Sequence, residues 1–157
     1  MGLKLEVVIL SVSDVDRAKQ FYEKVGFRLD IDVSAGEDFR GVQFTPPDSE
    51  CSIIFGKGMT SAAPGSLQGL YLVVADIEAS RADLVGRGIE VGEVFHDAGG
   101  LFFHGHDTTG VVHDIEGSGR LAGPHPDRAD YGSYATFSDP DGNVWVLQEV
   151  RQRAPGR

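Results

Sequence analysis

One pattern written twice constrains the fold of this chain more than anything else in it. Val12, Asp14, Val15, Gly26 and Phe27 lie over Val74, Asp76, Ile77, Gly88 and Ile89; 74 against 12, 76 against 14 and 88 against 26 are each 62 apart. Each copy has the same physical logic. An apolar run ends in Val, an Asp follows whose carboxylate is placed to N-cap a helix, about three helical turns come next, and a Gly stands where the chain must turn left-handed. Residues of a core-facing stripe recur at helical spacing as Val15, Ala18, Phe21, Tyr22 and Val25 in the first copy, and as Ile77, the small Ser80, Leu84 and Val85 in the second. Such a stripe is a core face. Both copies therefore read strand, helix, strand, and an internal repeat fixes the architecture before any single residue is interpreted.

The segments after the two glycines, Phe27 to Val33 and Ile89 to Phe95, are the next strand candidates. A turn is duplicated as well: Phe44 to Glu50 (with Pro47, Asp48 and Ser49) matches Phe137 to Asn143 (with Pro140, Asp141 and Gly142), and 137 against 44 gives an offset of 93. Pro and Asp followed by Ser or Gly make a tight turn, and β-branched or aromatic residues follow, so each copy closes with a β-hairpin. The growth of the offset from 62 to 93 places about 31 unmatched residues in or near 96–132 of the second copy, a stretch that holds all five His. It reads as a long Gly-rich loop with a short strand at Leu101 to His104. The domain plan is a first βαβββ module over 1–56, a linker over 57–67, a second module over 68–150 carrying the insert, and a tail over 151–157.

The helix start Val-x-Asp, the Phe21-Tyr22 pair before Gly26-Phe27, the late Asp139-Pro140-Asp141-Gly142-Asn143 and a closing strand to Glu149 together resemble the vicinal oxygen chelate superfamily. That superfamily includes glyoxalases, extradiol dioxygenases, fosfomycin-modifying enzymes and bleomycin-resistance binding proteins. The resemblance covers residues 3 to 150 and implies an α+β fold in which two tandem βαβββ modules form an open barrel around a small-molecule cavity. It is specific for fold and not for activity, because such folds host both catalysis and sequestration.

In metal-dependent members, as the resemblance implies, a divalent ion is held by His, Gln or Glu on the first strand, five residues before the Val of the helix start. The other ligands stand on the last strand, four residues after the Gly of the turn. Counting here gives Val7, Gly69, Val146 and, through the repeat, Ile53. A divalent ion needs three or four O or N donors in one small sphere, and none of these four side chains supplies one. No cofactor is expected. With these positions facing the cavity, strand alternation adds Ile9, Ser11, Tyr71, Val73, Val144 and Gln148 to the wall. An apolar wall with few polar groups suits an organic, aromatic ligand. Val7, Ile9, Ile53, Tyr71, Phe103, His104, Val144 and Val146 are the expected ligand contacts, and Trp145 alternates to the helix side.

Composition narrows the partners. Acidic residues outnumber basic ones by 24 to 14, a formal net charge of −10, which repels nucleic-acid phosphates and anionic lipid. The N-terminus has no leader-like segment, which favours a cytoplasmic protein. Cys51 is the single cysteine, so no internal disulfide forms. Gly-x-Ser-x-Gly, phosphate-loop and dinucleotide motifs are all missing. The leading expectation is sequestration or carriage of a largely apolar or aromatic molecule by a homodimer. The alternatives are a metal-independent isomerase, lyase or cyclase using His104 or Tyr71 as acid or base, and a metal-dependent glyoxalase- or dioxygenase-like enzyme that rebuilds its site from the His-rich insert.

Overall fold

The computed structural model describes residues 1–98 and 119–157. The chain divides into two compact units: unit 1 is Met1–Leu67 with Asp139–Asn143, and unit 2 is Gln68–Ser138 with Val144–Arg157.

Unit 1 runs β1 (Val7–Ile9), α1 (Val15–Val25), β2 (Arg28–Ala35), β3 (Phe39–Thr45) and β4 (Ser52–Lys57). Its sheet has the order β1-β4-β3-β2, with β1 and β4 parallel and the hairpins antiparallel. The helix begins where the sequence places it: Asp14 takes an extended conformation and its carboxylate accepts the Arg17 N–H at 3.0 Å. It ends at Gly26, whose φ of 100° is left-handed. Of the expected stripe, Ala18, Tyr22 and Val25 are buried. Tyr22 is the centre of the packing, with Phe27 at 5.7 Å, Phe55 at 5.5 Å and Phe44 at 6.1 Å between ring centroids.

The turn Asp139–Asn143 completes this unit. Tyr22 donates its hydroxyl to Asp139 at 2.9 Å, Ser13 donates to Asp141, and Asn143 Nδ2 donates to the Ser11 carbonyl at 2.9 Å. Gly65 packs so close to the Asp141 carbonyl that a β-carbon would lie 1.9 Å from it, and its φ is +76°. Only glycine fits there.

Unit 2 runs β5 (Gln68–Val74), α2 (Ile77–Gly86), β6 (Phe95–Asp97), β7 (Arg120–Ala122), β8 (Ser133–Ser138) and β9 (Val144–Glu149), in the order β5-β9-β8-β6-β7. Asp76 caps α2 by accepting from Ala79 N–H at 3.0 Å. Ile77 and Leu84 are buried, whereas Val85, expected on the apolar stripe, is exposed. Residues 89–94 form no strand; the second copy's strand is confined to Phe95–Asp97. The reason lies in the side contacts, since Arg81 of α2 takes the Gly92 carbonyl at 2.7 Å and the Val91 carbonyl at 3.2 Å, acceptors that a strand ladder would need. The insert contributes an unexpected strand, β7, which pairs with β6 and makes this sheet five-stranded. The strand expected at Leu101 to His104 falls outside the described residues. No helix among the described residues is long and apolar enough to cross a membrane.

Candidate functional site

The register of unit 2 sorts its sheet into two faces. Trp145, Leu147 and Glu149 face α2: Phe137 stacks on Trp145 with centroids 6.2 Å apart, and Glu149 accepts the Ile77 N–H that opens the helix at 2.9 Å. Trp145 is thus core, as alternation requires. Val144, Val146 and Gln148 take the opposite face. There the ladder builds one row from Tyr71, Val146 and Thr136, and a neighbouring row from Val73, Gln148, Tyr134, Phe95 and Ala122.

Phe95, Tyr134 and Val146 form a buried apolar cluster on this face, with the Phe95 and Tyr134 rings stacked at 5.6 Å. Tyr71 and Val73 beside them are 37% and 43% exposed. At the far end the Arg120 guanidinium lies 4.3 Å over the Phe95 ring, and its cross-strand neighbour is Asp97, a cation–π contact with a carboxylate alongside. Burial pushes the Tyr71 hydroxyl up to about 12, with Tyr134 adding to the shift. At neutral pH the phenol keeps its proton.

The polar rim is held by one backbone group. The Tyr131 carbonyl accepts the Tyr134 hydroxyl at 2.5 Å and Gln148 Nε2 at 3.1 Å. Tyr131 has a left-handed φ of 68°, and its own N–H donates to the Glu149 carbonyl at 2.8 Å. Behind it, Arg128 grips the buried Glu149 carboxylate through Nε and Nη2, at 3.0 and 2.5 Å. The Arg128 guanidinium, followed by the Ile77 amide, holds Glu149 below the usual carboxylate range.

Unit 1 has a corresponding face, and there the apolar residues are exposed. Ile9, Ile54, Gln43 and Ile31 form one row, Val7 and Ser52 belong to the next on one side, and Gly56, Gly41 and Val33 to the next on the other. Ile53 is not on it: paired with Phe44 and 3% exposed, it sits on the Tyr22 side of the sheet. The cause is one residue. Phe44 and its partner Ile53 are 9 positions apart, whereas Phe137 and its partner Trp145 are 8 apart, so the first turn is one residue longer. The offset of 93 falls to 92 across the turn, which makes Ile54 the counterpart of Val146.

The corrected positions, Val7, Ile54, Gly69 and Val146, carry hydrocarbon side chains or none, a donor set that does not fit a divalent ion. Gly69 lies at a bulge between Gln68 and Leu70 with a φ of 97°. Of the other expected contacts, Val7 and Ile9 lie on the unit 1 face, and Tyr71, Val144 and Val146 on the unit 2 face. Phe103 and His104 lie outside the described residues. The sequence reading missed Phe95 and Tyr134. Tyr134 was reachable by counting back across the turn from Gln148; Phe95 was not, because its pairing crosses the insert.

Known proteins carry the same plan. TnmS3, an antibiotic-binding protein from Streptomyces sp. CB03234, is 30% identical, with 96% of this chain and 98% of that chain covered and a TM-score of 0.63. A glyoxalase/bleomycin resistance protein from the same Streptomyces is also 30% identical, covering 92% of this chain and 99% of its own, at a TM-score of 0.60. An uncharacterized protein of Bacillus subtilis (strain 168), YetH, is 24% identical over 148 residues, 93% of this chain and 98% of YetH. The sequence profile of one superfamily matches residues 4–147, nearly the whole span that carries the two repeats. By that match the chain belongs to the glyoxalase/bleomycin resistance protein/dioxygenase superfamily.

Proposed function

We propose that the chain binds and sequesters a small, largely apolar aromatic molecule on the face of unit 2 opposite α2, without a divalent metal. The observation that carries this reading is the Phe95–Tyr134–Val146 cluster, apolar at its centre and edged by Tyr71 and Gln148. Apolar area supplies affinity there and a few fixed polar groups supply orientation. The likeness to an antibiotic-binding protein at 30% identity supports it. In calorimetric titrations against a panel of planar polycyclic aromatics, at least one compound saturates at one per site and is recovered unchanged. Tyr71→Ala weakens that compound about tenfold, the loss expected when a half-buried aromatic contact is truncated. Conversion of the bound compound to product would replace sequestration with catalysis.

A second copy of the chain covers the unit 1 face in this proposal. Ile9, Ile31 and Val33 are 46%, 43% and 52% exposed, and Val7 and Phe39 are exposed with them, a run of apolar area unusual for a lone subunit. Sedimentation analysis is expected to give a dimer that the Ile31→Glu variant converts to monomer; a monomeric wild type would end this part of the proposal.

A further inference from the structure

We propose that Gln148 sets the chemistry of the ligand on the unit 2 face: an uncharged, flat aromatic whose edge carries an N–H or O–H donor for Gln148 Oε1. The inference rests on the binding reading above and deepens it.

Gln148 stands between Val73 and Tyr134 in the row that crosses the face. Its Nε2 donates to the Tyr131 carbonyl, and so does the Tyr134 hydroxyl. Two donors on one carbonyl decide which way the carboxamide points, since a flipped Gln148 would set Oε1 against the Tyr131 oxygen, acceptor against acceptor. Oε1 is therefore turned away from Tyr131. Oε1 takes no hydrogen bond from any described residue, and no side-chain polar atom buried from solvent among the described residues lacks a partner. Oε1 is thus an accessible acceptor held in a fixed orientation beside an aromatic cluster. That arrangement rewards a ligand with a donor at the matching edge and penalises one whose edge is capped.

Charge on the ligand is not called for. Gln148 is neutral, Glu149 points to the other face where Arg128 grips it, and Arg120 and Asp97 stand together at the far end. The site so built reads a donor on one edge of the ligand through Gln148.

The test uses the full chain and two probes that differ only in the donor: carbostyril, a flat bicyclic lactam with an N–H, and N-methylcarbostyril, in which that N–H is capped. Wild type is expected to bind carbostyril about tenfold more tightly, the effect of one unmatched polar contact. Gln148→Met, close in shape but without the acceptor, is expected to bring the ratio to about one by weakening carbostyril alone. Thermal melting checks that the variant folds, and the wild-type ratio needs no variant. Equal binding of both probes by wild type overturns the role of Gln148 and leaves the aromatic site standing. A ratio that persists in Gln148→Met and Gln148→Leu also overturns it. Binding of neither probe overturns the aromatic site together with it.

Discussion

Replacing Arg128 with alanine is expected to lower the stability of unit 2 by about 3–5 kcal/mol, the cost of stripping the partner from a buried charge. The Glu149 side chain is 1% exposed and accepts from Arg128 twice, from Ile77 N–H, and from Arg151 at 3.3 Å. Without Arg128 the carboxylate keeps one backbone amide and a half-exposed arginine. Urea denaturation measures the loss. A change below about 1 kcal/mol, the scale of an exposed ion pair, would show that the pair does not act as a buried one. The pH dependence has a definite sign. Glu149 titrates lower in the folded chain than in the unfolded one, so its contribution is complete above the unfolded value of about 4.3 and disappears as pH falls through the folded value. Wild type therefore loses stability in acid below about pH 4, and Arg128→Ala loses less over the same range.

Asp139→Ala is expected to have an effect of similar size in unit 1, about 3 kcal/mol or more. The carboxylate is 4% exposed and accepts four hydrogen bonds: the Tyr22 hydroxyl at 2.9 Å, Asn143 Nδ2 at 2.8 Å, and the backbone N–H groups of Asp141 at 3.0 Å and Asn143 at 2.9 Å. Alanine leaves those donors facing a space with no acceptor. Tyr22→Phe removes only one of the four bonds and keeps the ring among Phe27, Phe44 and Phe55, so its cost is about 1 kcal/mol. Parallel melts of the two variants test the ranking; equal losses would mean that the carboxylate organises the Tyr22 hydroxyl and nothing else.

The parts of the fold written in local chemistry were legible in the sequence. Asp14, Asp76 and Gly26 act through groups within four residues of themselves, and the constant offset of 62 ties both helices to one plan. What depended on pairing across a turn was less legible. Ser52, Ile53, Ile54 and Phe55 contain two adjacent isoleucines, and alternation cannot find its phase where neighbouring positions are equally apolar. The extra residue in the first turn leaves no mark in that pattern, and it puts Ile53 on the opposite side of the sheet from Val7. In the second copy, 89–94 carries a strand-like pattern of which the Val91 and Gly92 carbonyls are taken by the Arg81 side chain, a contact that no local propensity encodes. Of the candidate site, Val146 came from the ligand spacing of the family and Tyr71 and Gln148 from alternation around such counted positions, whereas Phe95 reached it only through a strand pairing that spans the insert.

The placement of the Asp139–Asn143 turn has a consequence for the order of synthesis. Unit 1 is first in the sequence, yet five of its residues are made only after β8 of unit 2. As the chain leaves the ribosome, Tyr22 lacks its acceptor and Gly65 its close neighbour until residues of the second repeat have emerged. The gene's early half therefore encodes an unfinished object. The first repeat is not a self-sufficient product of its own stretch of sequence, and a gene that lost the later copy would also lose the means to close it.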